Sequence, residues 1–204
     1  MKKRILFLDL DGTLIETVSG KTFPTDLWDM RFKMDVFEKL KKFYIENDVL
    51  IIHIVSNHGE VELGYTSYGR VNSKIQYVAR CLEEYIEKGS NLEREVCVSY
   101  MFCYKNDKND PNRKPNTGML KTTMEEDLGI VNNCDLMFET EQKGGRFLTF
   151  VNELYPDIDE KKYKEMCLMI GDASGLPGQF SDSDKKCAEN FGIDYMDVND
   201  FLKS

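Results

Sequence analysis

An unbroken apolar run, Ile5-Leu6-Phe7-Leu8, stops against two acids one residue apart, Asp9 and Asp11, followed at once by Gly12 and Thr13. Such a run, without polar alternation, predicts a strand buried on both faces, as in a parallel sheet covered by helices. Alternation along a strand sets Asp9 and Asp11 on one side, and Gly12 breaks the strand and frees backbone amides. Open α/β sheets place their ligands at strand ends of this kind. A lone Asp-x-Asp is more often a solvated acidic turn, so the decision falls to the rest of the chain.

Residues 49–55 form a second apolar segment, ending in Ser56-Asn57-His58-Gly59. Residues 95–102 predict a third strand, and 166–170 a fourth that closes on Gly171-Asp172-Ala173-Ser174-Gly175. Helical patterns lie between them. One opens at Asp35, read as an N-cap with Glu38 three residues on, and runs to about Asn47 with Val36, Phe37, Leu40, Phe43 and Tyr44 inward. A second spans 73–88 and stops at Gly89; a third covers 117–128; a short one at 183–190 ends at Gly192 before a last strand, 193–196. Residues 14–24 read as a loop or short hairpin, and 104–115, rich in Asn, Asp, Lys and Pro, exclude regular structure. Residues 130–164 carry the least pattern, with a helix expected over 146–154 and ended by Pro156. Strands alternating with helices predict an α/β fold: a three-layer, Rossmann-like, mostly parallel sheet with right-handed crossovers. At 204 residues, one domain over 1–204 is expected.

A net charge of −9 argues against broad non-specific binding to nucleic acid or anionic membrane, while leaving room for a local basic groove. Six cysteines lie scattered, none in a Cys-x-x-Cys pair, and several within apolar runs. Buried free thiols in a reducing compartment are expected rather than disulfides or zinc. The basic start Met1-Lys2-Lys3-Arg4 precedes an apolar run too short for a signal peptide or a membrane span, so a cytoplasmic protein without membrane attachment is expected. Gly20-Lys21-Thr22 lacks the earlier glycine of a P-loop.

Asp9, Asp11 and Asp172 at neighbouring strand ends repel unless a cation compensates them. Mg²⁺ fits a site with a carboxylate or two, waters and phosphate oxygens, whereas the dense loop of a structural Ca²⁺ site is missing. A metal, the Ser56 hydroxyl, Lys114 and free amides after Gly12 together suit a phosphoryl group, whose transfer needs positioning and neutralisation of charge. Taken singly, Ser56 is an ordinary strand-end hydroxyl and Lys114 a solvated loop charge. His53 and His58 have no sequence partner that marks them as catalytic, and contact of His58 with substrate is the minor reading, raised only because loops after such strands carry function.

These motifs, in this order, resemble the haloacid dehalogenase-like phosphohydrolases: Asp9-Leu10-Asp11-Gly12-Thr13 the first, Ser56-Asn57 the second, Lys114 the third and Gly171-Asp172 the fourth. The resemblance implies Asp9 as nucleophile and Asp11 as general acid and base. Asp9, the Asp11 carbonyl and Asp172 would hold Mg²⁺, and Ser56 and Lys114 would hold phosphate oxygens. It also implies a further acid supporting the metal's waters, with Asp184 the choice and Asp182 the reserve. Longer strings, including Ser19-Gly20-Lys21-Thr22-Phe23-Pro24, Arg113-Lys114-Pro115-Asn116-Thr117-Gly118 and Gly171-Asp172-Ala173-Ser174-Gly175, resemble the 3′-phosphatase domains of polynucleotide kinase 3′-phosphatases. This second resemblance implies hydrolysis of a 3′-phosphate at a nucleic-acid end, DNA favoured over RNA. Gly12, Thr13, Ser56, Asn57, Arg113 and Lys114 would then face the substrate.

Some residues depart from that pattern. Asn57-His58-Gly59 stands where those domains have Asn-Gln-x-Gly, residues 60–70 differ in composition, and 132–165 are longer. With neither kinase nor phosphopeptide-binding segments in the sequence, a stand-alone phosphatase is expected. The chain between Thr13 and Ser56, and between Asn57 and Lys114, is largely used by core elements, so no large cap domain is expected. An uncovered site suits a macromolecular end. Lys21, Arg31, Arg70, Lys74, Arg113 and Lys121 could line a narrow basic track, and Tyr65 and Tyr68 could stack a terminal base. The alternatives are a phosphatase of small sugar or amino-alcohol phosphates, and a non-catalytic phosphate-binding module.

Overall fold

The computed structural model describes residues 2–21, 27–130, 143–145, 151–179 and 181–204. In chain order these form β1 (Ile5–Leu8), β2 (Ile15–Glu16), β3 (Arg31–Phe32), α1 (Met34–Asn47), β4 (Ile51–Asn57), α2 (Tyr68–Glu87), β5 (Val98–Cys103) and α3 (Gly118–Asp127). There follow β6 (Lys143–Gly145), α4 (Val151–Leu154), α5 (Glu160–Met166), β7 (Cys167–Gly171), α6 (Ser183–Phe191), β8 (Asp194–Asp197) and α7 (Val198–Lys203). Six strands make one sheet in the order β6-β5-β4-β1-β7-β8. All neighbours pair in parallel except β6, which runs antiparallel to β5.

β1 sits inside the sheet with all four side chains buried. Its alternation separates two cores. Leu6 and Leu8 pack with Val36, Phe37 and Leu40 of α1, with Ile75, Val78 and Leu82 of α2 and with Phe201 of α7. Ile5 and Phe7 pack on the opposite face with Met119 and Leu120 of α3, Tyr163 of α5 and Cys187 of α6. Burying a Leu, Ile or Phe side chain contributes about 1.5–3 kcal/mol, so this one strand anchors both helical layers. The expected three-layer α/β architecture is the one observed.

Differences lie at the element ends. Lys33 is the N-cap of α1, and Asp35 falls in its first turn, where its Oδ1 accepts the Val36 N–H at 2.9 Å and its charge complements the helix dipole. α2 starts well before residue 73, capped by Ser67, whose Oγ accepts the Arg70 N–H at 3.3 Å. Gly69 and Asn72 are weak helix formers, which masks that first turn in the sequence. β2 pairs with β3, beyond the expected 14–24 hairpin, of which residues 22–24 lie outside the described residues. Of the helix expected over 146–154, Val151–Leu154 is helical and 146–150 lie outside the described residues. The sequence pattern does not announce α7, whose Val198 and Phe201 are buried. Among the described residues no helix is long and apolar enough to cross a membrane.

Candidate active site

Because β4, β1 and β7 are parallel neighbours, their carboxyl ends open on one edge of the sheet. A cleft of about 360 Å³ lies there, lined among others by Asp9, Asp11, Ser56, Arg113, Lys114 and Asp172, and also by Asp184 at the start of α6. Gly12 and Asn57 line it too.

Lys114 comes from the irregular 104–115 stretch and is buried. Its Nζ lies 2.6 Å from Asp9 Oδ1 and 2.7 Å from Asp184 Oδ1, and it donates to the Val55 carbonyl at 2.8 Å. Those acceptors match the three donors of an ammonium. The peptide of Lys114 is clamped by Asn57, whose side-chain amide donates to the Lys114 carbonyl and accepts the Lys114 N–H, both at 2.9 Å. Asn57 thus positions the lysine, while the buried Ser56 hydroxyl faces the cleft from the end of β4.

Asp9, Asp172 and Asp184 each offer one carboxylate oxygen, all within 4.8 Å of one another. Hard oxygen donors converging in this way fit a hard divalent cation. Asp184 therefore stands beside the other two acids rather than behind them, and its Oδ2 also accepts the Ala173 N–H at 3.2 Å. Asp182, the reserve choice, pairs instead with Lys186 at 2.5 Å. Two glycines make room for the cluster: a Cβ at Gly12 would lie 1.9 Å from Asp172 Oδ2, and one at Gly171 2.3 Å from Asp184 Oδ2. Gly12 also holds φ +87°. Gly12→Ala is expected to lose about 1–2 kcal/mol of folding stability from backbone strain alone. It should also weaken divalent-cation binding, because Asp172 has to move. Denaturant midpoints and a cation titration check this, and an unchanged affinity would show that the cradle tolerates a side chain.

The amides expected to be free after Gly12 are engaged within the turn. Gly12 N–H donates to the Ile15 carbonyl at 2.8 Å and Thr13 N–H to the Leu10 carbonyl at 3.3 Å. Thr13 is buried, and its hydroxyl has no hydrogen-bond partner among the described residues.

The Asp11 carboxylate lies apart from the three-acid cluster. Lys74 Nζ approaches its two oxygens at 3.3 and 3.5 Å, and His58 Nδ1 stands 3.9 Å from Oδ2. His58 is fully buried with Nδ1 2.6 Å from Glu60 Oε1, so it faces Asp11 and Glu60 rather than a ligand. His53 is held by Ser99 at 2.6 Å and Asp127 at 2.9 Å inside the core. Lys74 belongs to the site floor, not to the surface track that its residue type suggests. The signal for this was a charge on the apolar stripe of α2, between Val71 and Val78, where it is buried.

Charge at the floor does not balance. Three acids meet one lysine. Burial, opposed by Lys114 and reinforced by Asp184 and Asp172, holds the Asp9 carboxyl well above the usual carboxylate range. Burial and then Asp184 push Asp172 up to about 6. For Lys114, burial disfavours the charge, but Asp184 and Asp9 outweigh it and keep the ammonium protonated. A divalent cation at Asp9, Asp172 and Asp184 would relieve this excess of negative charge.

The expected basic track does not line the cleft. Lys74 is buried on Asp11, Arg31 pairs with Glu16 at 2.7 Å and Lys121 with Glu125 at 3.8 Å. Of the six cations only Arg113 lines the cleft, and its Nη1 donates to the Lys105 carbonyl at 2.7 Å. Tyr68 packs against Phe102 and Tyr104 with ring centroids at 5.0 and 6.1 Å, whereas Tyr65 borders the cleft.

The family model described as polynucleotide kinase 3 phosphatase matches residues 4–202 of the chain. A bifunctional polynucleotide phosphatase/kinase of Schizosaccharomyces pombe is 29% identical over 201 residues, covering 98% of this chain and 38% of that protein. The chain thus spans well under half the length of that relative. Among solved structures, the D,D-heptose 1.7-bisphosphate phosphatase from B. bronchiseptica, complexed with magnesium and phosphate, matches with a TM-score of 0.56 at 14% identity, covering 94% of this chain and 78% of that one. A HAD-like phosphatase from Mesorhizobium loti matches with 0.54 at 15% identity, covering 97% and 83%. At those identities the two structures show the fold, which is the HAD-like α/β fold.

Proposed function

The chain belongs to the polynucleotide kinase 3 phosphatase family, and from that premise we propose that it is a Mg²⁺-dependent phosphomonoesterase removing the 3′-phosphate from polynucleotide ends, DNA in preference to RNA. The observation that carries the reading is the separation of two acids on one strand end. Asp9 joins the cluster that can hold a cation, and Asp11 stands apart on Lys74. Binding a phosphate needs no such pair; transferring one through an enzyme carboxylate needs a nucleophile and a separate proton carrier.

Each residue takes a distinct part. An Asp9 oxygen attacks phosphorus and the phosphorus–3′-oxygen bond breaks, leaving a phosphoryl group on Asp9. Asp11 gives its proton to the departing 3′-oxygen, then takes one from the water that attacks phospho-Asp9, releasing inorganic phosphate and restoring both acids. Ser56 and Lys114 orient the phosphoryl oxygens, Lys114 exchanging one of its protein acceptors for them. Mg²⁺ held by Asp9, Asp172 and Asp184, with the Asp11 carbonyl, would supply positive charge against the phosphoryl oxygens. The magnesium and phosphate bound by the B. bronchiseptica phosphatase support that choice of ion.

Elements of the sheet and its covering layers occupy much of the described chain between Asp11 and Lys114, which supports a single domain with the cleft open to a strand end. Free thiols at Cys81, Cys97, Cys103, Cys167 and Cys187 support a reducing, cytoplasmic setting.

The test offers the protein a 3′-phosphorylated oligodeoxynucleotide, the 5′-phosphorylated and RNA counterparts, and a panel of sugar and amino-alcohol phosphates, each with and without Mg²⁺. Phosphate release from the DNA 3′ end, dependent on Mg²⁺, is expected. Turnover of a sugar or amino-alcohol phosphate without release from the 3′ end would establish the metabolite-phosphatase alternative. Tight 3′-phosphate binding with no turnover of any substrate would establish the non-catalytic module.

A further inference from the structure

We propose that Tyr65 is the platform on which the 3′-terminal nucleobase stacks, an inference that rests on the polynucleotide reading above. Tyr65 is 76% exposed and Leu63 50% exposed, yet both line the cleft that has Asp9 at its floor. An exposed aromatic ring at the mouth of a polar phosphate pocket adds nothing to the core. It is, however, well placed to meet the nucleoside that carries the phosphate.

The ring is carried on a fixed backbone. Past β4 the chain winds through close turns in which Val61 N–H donates to the His58 carbonyl at 3.1 Å, Leu63 N–H to Gly59 at 3.3 Å, Gly64 N–H to Val61 at 3.0 Å and Tyr65 N–H to Glu60 at 2.9 Å. Gly64, at φ +75°, makes the last bend possible. His58, fully buried, and Val61, packed on the core, anchor the loop from inside. Tyr65 thus faces solvent where it lines the cleft, while its neighbour Tyr68 is tied into the core by Phe102 and Tyr104.

Charge argues for the same occupant. The cleft is lined by Asp9, Asp11, Glu60, Asp172 and Asp184 against Arg113 and Lys114, and with Lys74 beneath Asp11 one divalent ion brings it only to neutrality. Arg113 and Lys114 already donate to protein acceptors. Phosphates further along a strand therefore find little attraction, and hold on the strand has to come from uncharged contact. Stacking one base on an aromatic ring is worth roughly 5- to 150-fold in affinity and accepts any base.

The test compares two 3′-phosphorylated oligodeoxynucleotides, identical but for the last residue, which is an ordinary nucleotide in one and an abasic tetrahydrofuran in the other. The wild-type enzyme is expected to show a KM roughly ten-fold lower for the base-bearing end. Tyr65→Ala should collapse that preference to near equality, with the change falling on KM, and Tyr65→Trp should restore it. A wild-type enzyme that hydrolyses both ends with equal KM overturns the stacking role and leaves the 3′-phosphatase reading standing. So does a Tyr65→Ala variant that keeps the preference. A wild-type enzyme that hydrolyses neither end while turning over a sugar phosphate overturns the polynucleotide reading itself.

Discussion

Asp9→Asn is expected to abolish turnover, by on the order of 10⁴-fold or more in kcat, with the fold intact. The amide keeps the size of the side chain and its place beside Lys114 but cannot form the acyl phosphate. Acid quench of the wild-type enzyme during turnover should trap label from the substrate phosphate on the protein, and the variant should trap none. Stability should move the other way. The folded protein holds Asp9 above its ordinary range, so the folded state binds that proton more tightly than the unfolded chain. Ionising Asp9 therefore weakens the metal-free fold as pH rises from the ordinary carboxylate range through the folded value. Asn mimics the protonated form, so without metal at about pH 7.5 the variant should melt no lower than the wild type, and Mg²⁺ should stabilise it less. Activity within about 100-fold of wild type would remove Asp9 as nucleophile.

Lys114→Met is expected to carry the largest loss of stability. The ammonium is buried against two acids and a carbonyl, and removing it leaves Asp9, Asp172 and Asp184 converging without the cation that touches Asp9 and Asp184. Taking away one partner of a buried ion pair costs about 3–5 kcal/mol, because the charge left behind is neither solvated nor paired. The pH dependence has a definite sign. Without Lys114, Asp9 and Asp172, already raised by burial and by their acidic neighbours, hold their protons still more tightly when folded than when unfolded, so stability should rise as pH falls from about 8 towards about 5. Mg²⁺ should offset part of the loss at neutral pH by binding the folded state alone. Adding Asp9→Asn should recover stability, since it removes one of the uncompensated charges. Equal denaturant midpoints for wild type and Lys114→Met at about pH 7.5 would show that the acids are not ionised together in the fold.

Much of this site was legible because its chemistry is written at strand ends. Asp9, Ser56 and Asp172 each close a run whose apolar character marks a buried strand, and the fold had few ways to keep those ends apart. Asp184 was legible as an acid near the fourth motif but not as a cluster member. Its place depends on how α6 packs beside β7 and on Gly171 having no Cβ to hold it off. Lys74 read as a surface cation because residue type outweighed its position. The apolar stripe of α2 carries it under Asp11, where burial and a charge partner decide its role. His58 had no sequence partner, and it gains Glu60 and Asp11 only because the turn after β4 folds its ring inward.

The sequence by itself determined the strand-end motifs, the alternation of strands and helices, and hence a parallel sheet with its acids on one edge. These follow from local patterns of polarity and from the two-residue period of a strand. Tertiary structure decided what each charge faces: Asp9 with Lys114, Asp172 and Asp184, Asp11 with Lys74, Asn57 with a lysine peptide, and Tyr65 left bare at the rim. Those pairings join residues as far apart as Asp9 and Lys114, 105 positions along the chain. No local pattern encodes such a contact, because it exists only once several strands and helices have closed around it.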